Sequence, residues 1–381
     1  MKKENKSSSA DKNATAKVNA YPLWSPRFWH GMRAGAYFKL MLKNGCRVHP
    51  LRLPMATILV PITCGNSAMH ALQMLFFRRK IAATELIKPP IFILGHWRSG
   101  TTMLHELMIR DDRLSFASTY ECFAPDHFLI TGSIVPRLLW FLLPSKRPQD
   151  NMPAGFDRPQ EDEFALISMG APTPYMRMAF PNHPAPYEAT LNMDGLSDRD
   201  LRAFREAMTW FLKTLTYKNK KRLVLKSPPH TGRIELLAKM FPGAKFIHLV
   251  RDPYALFSSA TRLWHAMDET QGFQIPRFEG LDEYIFDTFS RMYDGFERGR
   301  ESIDPQNIYD VRYEELAQDP IGVVQSIYDK LQLGDFEVAR PDIEAHVATL
   351  RDYKPNKHEL DEDLMAQIRN RWSSYFEKYE Y

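Results

Sequence analysis

The sequence has 381 residues, of which 44% are hydrophobic and 25% are charged, as in ordinary globular proteins. These proportions exclude a wholly disordered chain, a collagen and a small disulfide-stapled scaffold, and the length allows two domains or one large domain with an extension. Residues 1–20 contribute +3 of the net charge of +4, from five Lys against one Glu and one Asp. The remainder is nearly neutral and gives no support for nucleic-acid binding.

The N-terminal residues and the cysteines indicate the cellular compartment of the protein. Residues 1–20 are basic but lack the apolar core of a secretory signal, so we expect a solvated, disordered tail. Cys46, Cys64 and Cys122 are far apart in the sequence and form no CxxC pair. This spacing argues against a disulfide framework or a zinc site. We therefore predict a reducing compartment, the cytoplasm.

Residues 21–85 are rich in aromatic residues, Met and Arg, and we expect them to form a helical extension that precedes the main domain. Within it, residues 53–77 contain no Asp, Glu, Lys or Arg, and these 25 residues could cross a bilayer. Only 16 of them are apolar, and cations flank both ends, so the charges favour neither orientation. Three placements fit, in order of preference: a buried core helix, a helix in the membrane plane and a membrane span.

From Pro90 onward, short apolar runs alternate with amphipathic segments. This alternation predicts an α/β fold with a parallel sheet that is covered by helices on both faces. The predicted strands are residues 90–95, 222–226, 245–250 and 307–313. The predicted helices are residues 102–111, 231–241, 253–267 and 321–333.

Residues 125–186 differ from this pattern because they hold 11 of the 27 prolines together with many aromatic residues. Proline lacks the N–H that a sheet ladder needs, so this segment cannot be regular sheet. Long ordered loops often carry substrate contacts. We therefore expect the segment to contact a substrate.

The sequence GHWRSGTT, residues 95–102, lies between a predicted strand and a predicted helix. Its glycines permit a tight turn, and backbone N–H groups at a helix N-terminus can bind phosphate. The spacing is that of a Walker loop, but Thr101 replaces the lysine that a Mg-dependent NTPase requires. The segment therefore predicts an anion-binding loop with Arg98, Ser99, Thr101 and Thr102 as donors, or else a turn without a ligand.

Two cations follow the ends of two successive predicted strands. Lys226 and Arg251 are separated by one β–α–β unit, so both should lie at the carboxyl edge of the sheet, where ligands bind in open α/β folds. Arg251 could bind a phosphate through two parallel hydrogen bonds, and Ser259 could add a hydroxyl from the following helix. Taken alone, Arg251 next to Asp252 also fits an ion pair at a helix start.

Three segments together resemble the PAPS-dependent sulfotransferases. IFILGHWRSGTT resembles their 5′-phosphosulfate loop, LVLKSPPH followed by AKFIHLVRDPYALFSS resembles their 3′-phosphate block, and DVRYEELAQDP resembles their tyrosine-containing strand end. The resemblance covers residues from about 90 to 333 and implies a P-loop-like fold, with residues 86–381 as the sulfotransferase domain. It implies an enzyme that moves the sulfuryl group of PAPS to a hydroxyl or amine and releases PAP, without a metal.

The resemblance also implies a role for individual residues. The loop would hold the 5′-phosphate and the bridging oxygen, Lys226 would stabilise the leaving phosphate, and Tyr313 would flank the adenine. Arg251 and Ser259 would bind the 3′-phosphate. The loop residues in question are Arg98, Ser99, Gly100, Thr101 and Thr102.

Two departures from the family pattern concern the loop and the general base. Arg98 stands where the cytosolic enzymes have Lys, as in the tyrosylprotein and Golgi-type branch. Pro228 stands where the cytosolic enzymes have their catalytic His, so the base must lie elsewhere. Glu121 fits the position of the base in the tyrosylprotein branch, although a loop carboxylate can also cap a helix or pair with an arginine.

The rival bases are Glu161, Glu163 and His230. The acidic run 161–163 is typical of a solvated helix start, because acids suit that end of the helix dipole. His105 follows the loop on its helix, where a packing role is expected.

The acceptor is predicted to be bulky and apolar or lipid-like. This expectation depends on the aromatic residues of 125–186 and on the apolar segments 53–77 and 138–144. Such an acceptor would be met at a membrane, so we expect peripheral contact with the cytoplasmic face. The alternatives are an ATP-dependent small-molecule phosphotransferase and a non-catalytic nucleotide-binding membrane scaffold.

Overall fold

The computed structural model describes residues 25–143, 154–349 and 360–381. The tail predicted over residues 1–20 lies outside these residues, as does Pro144 at the end of the apolar segment 138–144.

The core of the protein is a five-stranded parallel sheet in the order β2-β3-β1-β4-β5. The four predicted strands are confirmed, whereas β2 was not predicted because two residues carry no readable pattern. The strands are β1 Ile91–Leu94, β2 Leu114–Ser115, β3 Arg222–Lys226, β4 Lys245–Val250 and β5 Ile308–Arg312.

Helices surround the sheet, and the four predicted ones are confirmed within a few residues of their expected ends. The α-helices are Ala34–Lys43, Leu53–Ala82, Thr101–Met108, Thr119–Phe123, Phe128–Thr131, Val135–Leu138, Glu163–Met169, Asp198–Lys218, Ile234–Met240, Pro253–Gln271, Leu281–Arg300, Tyr313–Gln318, Pro320–Leu331, Arg340–Thr349, Glu362–Arg371 and Ser373–Tyr379. Short 3-10 helices are Phe28–Gly31, Pro50–Arg52, Trp140–Leu142, Pro174–Ala179, Glu188–Thr190, Pro228–Arg233, Pro305–Asn307 and Phe336–Val338.

The central strand β1 shows why its sequence is continuously apolar. Ile91 and Ile93 pack into the hydrophobic core on one side of the sheet, whereas Phe92 and Leu94 pack into the core on the other side. Side chains of a strand alternate between faces, so a strand buried on both faces needs an unbroken apolar run. The predicted double covering of the sheet is confirmed.

The helical extension shares the larger core with the rest of the protein. Trp29 is fully buried and its indole N–H donates to the Gln271 carbonyl oxygen over 2.6 Å. The ring of Phe28 stacks on Phe164 with 3.9 Å between the ring centroids. These contacts attach the extension to the α/β part, while the domain division at residue 85 stays a prediction.

The helix Leu53–Ala82 is not a buried core helix, so the preferred placement of residues 53–77 was wrong. With the preceding turn it forms, among the described residues, the one helix long and apolar enough to cross a membrane, and only 17% of its apolar stretch is buried. The composition predicts a long apolar helix, which is confirmed, but it does not indicate which face of that helix packs against a neighbour.

Candidate active site

The loop between β1 and the helix Thr101–Met108 is shaped by two unusual backbone conformations. Arg98 has a φ of 73° and Gly100 a φ of 99°, both in the left-handed region. A Cβ atom on Gly100 would lie 2.3 Å from the ring of Tyr313, so only glycine fits there. The Ser99 hydroxyl is buried and has no hydrogen-bond partner within the part of the chain that the structure describes. An unpaired buried hydroxyl at this position fits a loop that receives an anion.

Predicted donor-site residues from three separate segments meet at this loop. The Arg98 Nε donates to the Ser259 hydroxyl over 2.8 Å, and the Arg251 Nη1 donates to the Arg98 carbonyl oxygen over 2.6 Å. The Arg251 guanidinium lies 4.1 Å from the centre of the Tyr313 ring. The structure therefore brings together the residues assigned by resemblance to the 5′-phosphate, the 3′-phosphate and the adenine, while their roles stay predictions.

Arg251 does not form the ion pair with Asp252 that its sequence alone also suggested. The Asp252 carboxylate instead accepts a hydrogen bond from the Tyr254 backbone N–H over 2.8 Å and caps the helix Pro253–Gln271. This capping holds the start of the helix that carries Ser259.

The C-terminal helix Ser373–Tyr379 holds the backbone of Arg251 in place through Tyr375, a contact that the sequence did not predict. The Arg251 N–H donates to the Tyr375 hydroxyl over 3.0 Å, and that hydroxyl donates to the Arg251 carbonyl oxygen over 3.2 Å. Burial raises the pKa of Tyr375 well above its ordinary value, so the hydroxyl keeps its proton. No local motif marks Tyr375, because its partner lies 124 residues away in the sequence.

Lys226 ends β3 and lies beside Ile93 of β1 in the sheet register, close to the start of the loop. Its side chain is only 2% exposed, and its Nζ donates to Glu161 Oε1 over 2.8 Å. Glu161 Oε2 accepts from the Tyr175 hydroxyl over 2.5 Å, and that hydroxyl accepts from the Trp97 indole N–H over 2.6 Å. A buried chain of hydrogen bonds thus fixes the Glu161 carboxylate next to the Lys226 ammonium.

The protonation of the neighbouring groups follows from burial. Desolvation, and next the negative charge of Glu161, raise the pKa of Tyr175 well above its ordinary value, so Tyr175 stays a donor. Burial, and next the charge of Lys226, lower the pKa of His105 to about 3. His105 is therefore neutral and buried, as its expected packing role requires.

The acidic run 161–163 is buried, which corrects the expectation of a solvated helix start. Each of its three carboxylates pairs with a different residue of the segment 226–233. Asp162 accepts one hydrogen bond from the Ser227 hydroxyl over 2.9 Å and contacts His230 Nε2 at 2.6 Å, and Glu163 pairs with Arg233 over 2.7 and 3.0 Å. Two of the rival bases, Glu163 and His230, are therefore parts of fully buried pairs.

Breaking the Glu163–Arg233 pair is expected to destabilise the protein strongly. Removing one partner of a fully buried ion pair leaves an uncompensated charge, so Arg233→Ala should lower the free energy of unfolding by about 3–5 kcal/mol. Urea denaturation measures this change. The control Arg298→Ala removes an exposed pair with Asp194 and should stay near wild-type stability. Equal stability of the two variants would contradict a structural role for Glu163.

Glu121 occupies a different environment from the donor loop. Its Oε2 accepts from the Ser118 backbone N–H and its Oε1 pairs with Lys218 Nζ, each over 2.7 Å. The bond to Ser118 belongs to the capping box of the helix Thr119–Phe123, and the pair with Lys218 joins this helix to the end of the helix Asp198–Lys218. Glu121 faces a cavity of about 720 Å³, whose lining includes Trp140 and Phe156 but none of the loop residues 95–102. The role of Glu121 as the base stays a prediction. In the structure its carboxylate caps a helix and pairs with Lys218.

Comparison with known proteins agrees with these motifs. The model of the sulfotransferase family matches residues 89–337. The chain is 37% identical over 368 residues to the omega-hydroxy-beta-dihydromenaquinone-9 sulfotransferases of Mycobacterium bovis and Mycobacterium tuberculosis, over 97% of this chain and 95% of each relative.

Two crystal structures share the fold. A sulfotransferase from Mycobacterium avium matches with a TM-score of 0.65 and 18% identity, over 87% of this chain and 86% of that one. A second, from Mycobacterium tuberculosis, matches with a TM-score of 0.62 and 17% identity, over 97% and 99% of the two chains. Together with the family match, these similarities show that the chain belongs to the sulfotransferase family and is an enzyme of sulfuryl transfer.

Proposed function

We propose that this enzyme takes its sulfuryl group from PAPS and delivers it to a hydroxyl of a large apolar, lipid-like acceptor, with Glu161 as the general base. The observation that carries the proposal is the buried ion pair between Lys226 and Glu161 beside the anion-binding loop. It places a cation suited to the leaving phosphate 2.8 Å from a carboxylate suited to the acceptor proton.

The residues in and around the loop 95–102 fit PAPS as the sulfuryl donor. PAPS, when bound, supplies the sulfuryl group together with two phosphate-bearing positions that need separate cationic contacts. Arg98 and the unpaired Ser99 hydroxyl would hold the 5′-phosphate, with Gly100, Thr101 and Thr102 contributing backbone N–H groups and hydroxyls at the helix start. Arg251 and Ser259 would hold the 3′-phosphate, and Tyr313 already lies against Arg251, where the adenine would stack.

Glu161 is better placed than Glu121 to accept the acceptor proton. Its carboxylate contacts Lys226 directly at the end of β3, whereas the carboxylate of Glu121 is bonded to the Ser118 N–H and to Lys218. Tyr175 orients the Glu161 carboxylate through its hydroxyl, which makes Tyr175 a positioning residue. In the transfer step the acceptor O–H proton passes to Glu161, and Lys226 stabilises the charge that develops on the departing phosphate.

The apolar acceptor is supported by the chemistry of the neighbouring side chains and by the relatives. Trp97, Tyr175 and Trp264 form a buried aromatic cluster with ring centroids 5.3–6.4 Å apart, directly beside Glu161. The relatives that are 37% identical are sulfotransferases of a hydroxylated menaquinone, a lipid. Both points favour a hydroxyl on an apolar chain over a small polar acceptor, and the relatives disfavour the phosphotransferase alternative.

We also propose that the enzyme works in the cytoplasm. The three cysteines are free thiols, and Cys46 and Cys64 are exposed. Exposed thiols suit a reducing compartment.

The donor site is tested by calorimetric titration of PAP and of Mg-ATP. We expect wild-type protein to bind PAP and not Mg-ATP, and Arg251→Ala to weaken PAP binding about 10- to 150-fold, because a charge-assisted hydrogen bond to phosphate is lost. The control Arg298→Ala, a surface arginine, should bind PAP like the wild type. Preference for Mg-ATP would instead support a phosphotransferase, and absence of nucleotide binding would support a scaffold.

A further inference from the structure

The helix Leu53–Ala82 presents one uncharged face to solvent along most of its length. Its exposed positions recur at intervals of three and four residues, so they lie in one stripe on the helix surface. Leu75 and Phe76 are 74% and 62% exposed. The exposed stripe comprises Leu53, Pro54, Thr57, Ile58, Val60, Pro61, Cys64, Gly65, Ala68, Ala71, Leu72, Leu75 and Phe76.

The opposite face of this helix is fixed to the protein by polar contacts. The Asn66 side-chain amide donates to the backbone carbonyls of His30 and Met32 over 2.7 and 2.9 Å. The Gln73 side-chain oxygen accepts from the Leu129 N–H over 3.0 Å. A helix that is held to the folded protein along one side is not surrounded by lipid, so these contacts favour a helix that lies in the membrane surface over one that spans the bilayer.

A second exposed apolar segment adjoins the helix. Residues 134–141 begin five residues after Leu129, which is the residue bonded to Gln73 of the helix. This segment includes a tryptophan, a side chain that is enriched where membranes meet water. Its exposed large side chains are Ile134, Leu138, Leu139, Trp140 and Phe141.

The charge of this part of the chain has a single sign. Residues 25–84 contain nine Lys and Arg and no Asp or Glu. Arg78, Arg79 and Lys80 are exposed at the end of the apolar stripe, and Lys39 and Lys43 are exposed on the neighbouring helix Ala34–Lys43. Apolar side chains framed by cations match the surface of a bilayer that contains anionic lipid.

We propose that these two segments, the exposed stripe of residues 53–76 and residues 134–141, form a membrane-docking surface that binds the surface of an anionic bilayer. The charge argues against a second copy of this chain as the occupant, because two such faces would bring like charges together. The proposal depends on these surface features alone and not on the identity of the acceptor.

Sedimentation of the full-length protein with vesicles tests the proposal. We expect binding to phosphatidylcholine vesicles that contain phosphatidylglycerol, and much weaker binding to phosphatidylcholine alone. The variant Leu72→Ser/Leu75→Ser/Phe76→Ser should bind both vesicle types at least about tenfold less, because apolar area is lost. Val338→Ser is the matched control, since Val338 is 55% exposed and lies outside the docking surface; it should bind like the wild type.

A charge variant keeps the proposal testable should the apolar variant fail to fold. Arg78→Gln/Arg79→Gln/Lys80→Gln should bind anionic vesicles on the order of a hundredfold less and leave binding to neutral vesicles unchanged. Wild-type protein that ignores both vesicle types would overturn the proposal. So would a dimer in solution that the serine variant converts to a monomer, since a second copy would then cover the face. The vesicles contain no acceptor, so either result leaves the proposed chemistry untouched.

Discussion

Replacing Lys226 with alanine should lower kcat about 10²–10³-fold while changing the Kd for PAP far less. The Lys226 ammonium is buried and already lies against Glu161 at the loop edge, so it is preorganised for charge that develops in the transition state. Deleting one such donor typically costs this much in rate. Single-turnover rates with PAPS, measured beside calorimetric PAP binding, separate the two effects.

Two further variants make this result specific. Lys218→Ala removes the lysine that pairs with Glu121, and it should retain nearly the wild-type rate. Lys226→Met removes the charge but keeps most of the side-chain volume, so it separates lost charge from lost packing. A Lys226→Met enzyme with wild-type kcat would show that Lys226 does not act on the leaving group.

The second large effect is expected for Glu161→Gln. The substitution keeps the shape of the side chain but removes its ability to accept a proton, so kcat should fall about 10²–10⁴-fold. Glu121→Gln is the matched control, because it makes the same chemical change at the carboxylate that caps a helix. Its kcat should stay within a few-fold of wild type, with at most a modest loss of stability.

The reverse outcome would restore Glu121 as the base. If Glu121→Gln lost activity and Glu161→Gln kept it, the Glu161–Lys226 pair would be a structural contact and nothing more. PAP binding should be intact in both variants, so a loss of kcat in either one would arise after the donor has bound.

The strands and the donor loop could be predicted because their signals are local. The strands β1, β3 and β4 are buried on both faces, so each appears in the sequence as a short, mainly apolar run that can be recognised without knowing its neighbours. The loop residues 95–102 are contiguous, and Arg251 and Ser259 lie eight residues apart. Each set therefore falls within one short sequence pattern that can be recognised locally.

The proposed base and the outer helix could not be predicted in the same way. The acidic run 161–163 has the composition of a solvated helix start, and only contacts with a segment more than 60 residues away make it buried. The sequence alone leaves Glu161 as one of several candidate bases, and its bond to Lys226 distinguishes it from the others. For the helix Leu53–Ala82, the composition of a core helix and of a surface helix is nearly the same, and tertiary packing decides between them.

The bond between Tyr375 and Arg251 has a consequence for the synthesis of the protein on the ribosome. Translation at about 5–20 residues per second needs roughly 6–25 s to add the 124 residues that separate Arg251 from Tyr375. During that interval the nascent chain already contains the loop 95–102 and the arginine that clamps it, but not the tyrosine that supports the clamp. We therefore expect PAP to protect the released protein from proteolysis far better than it protects a stalled chain that ends before Tyr375.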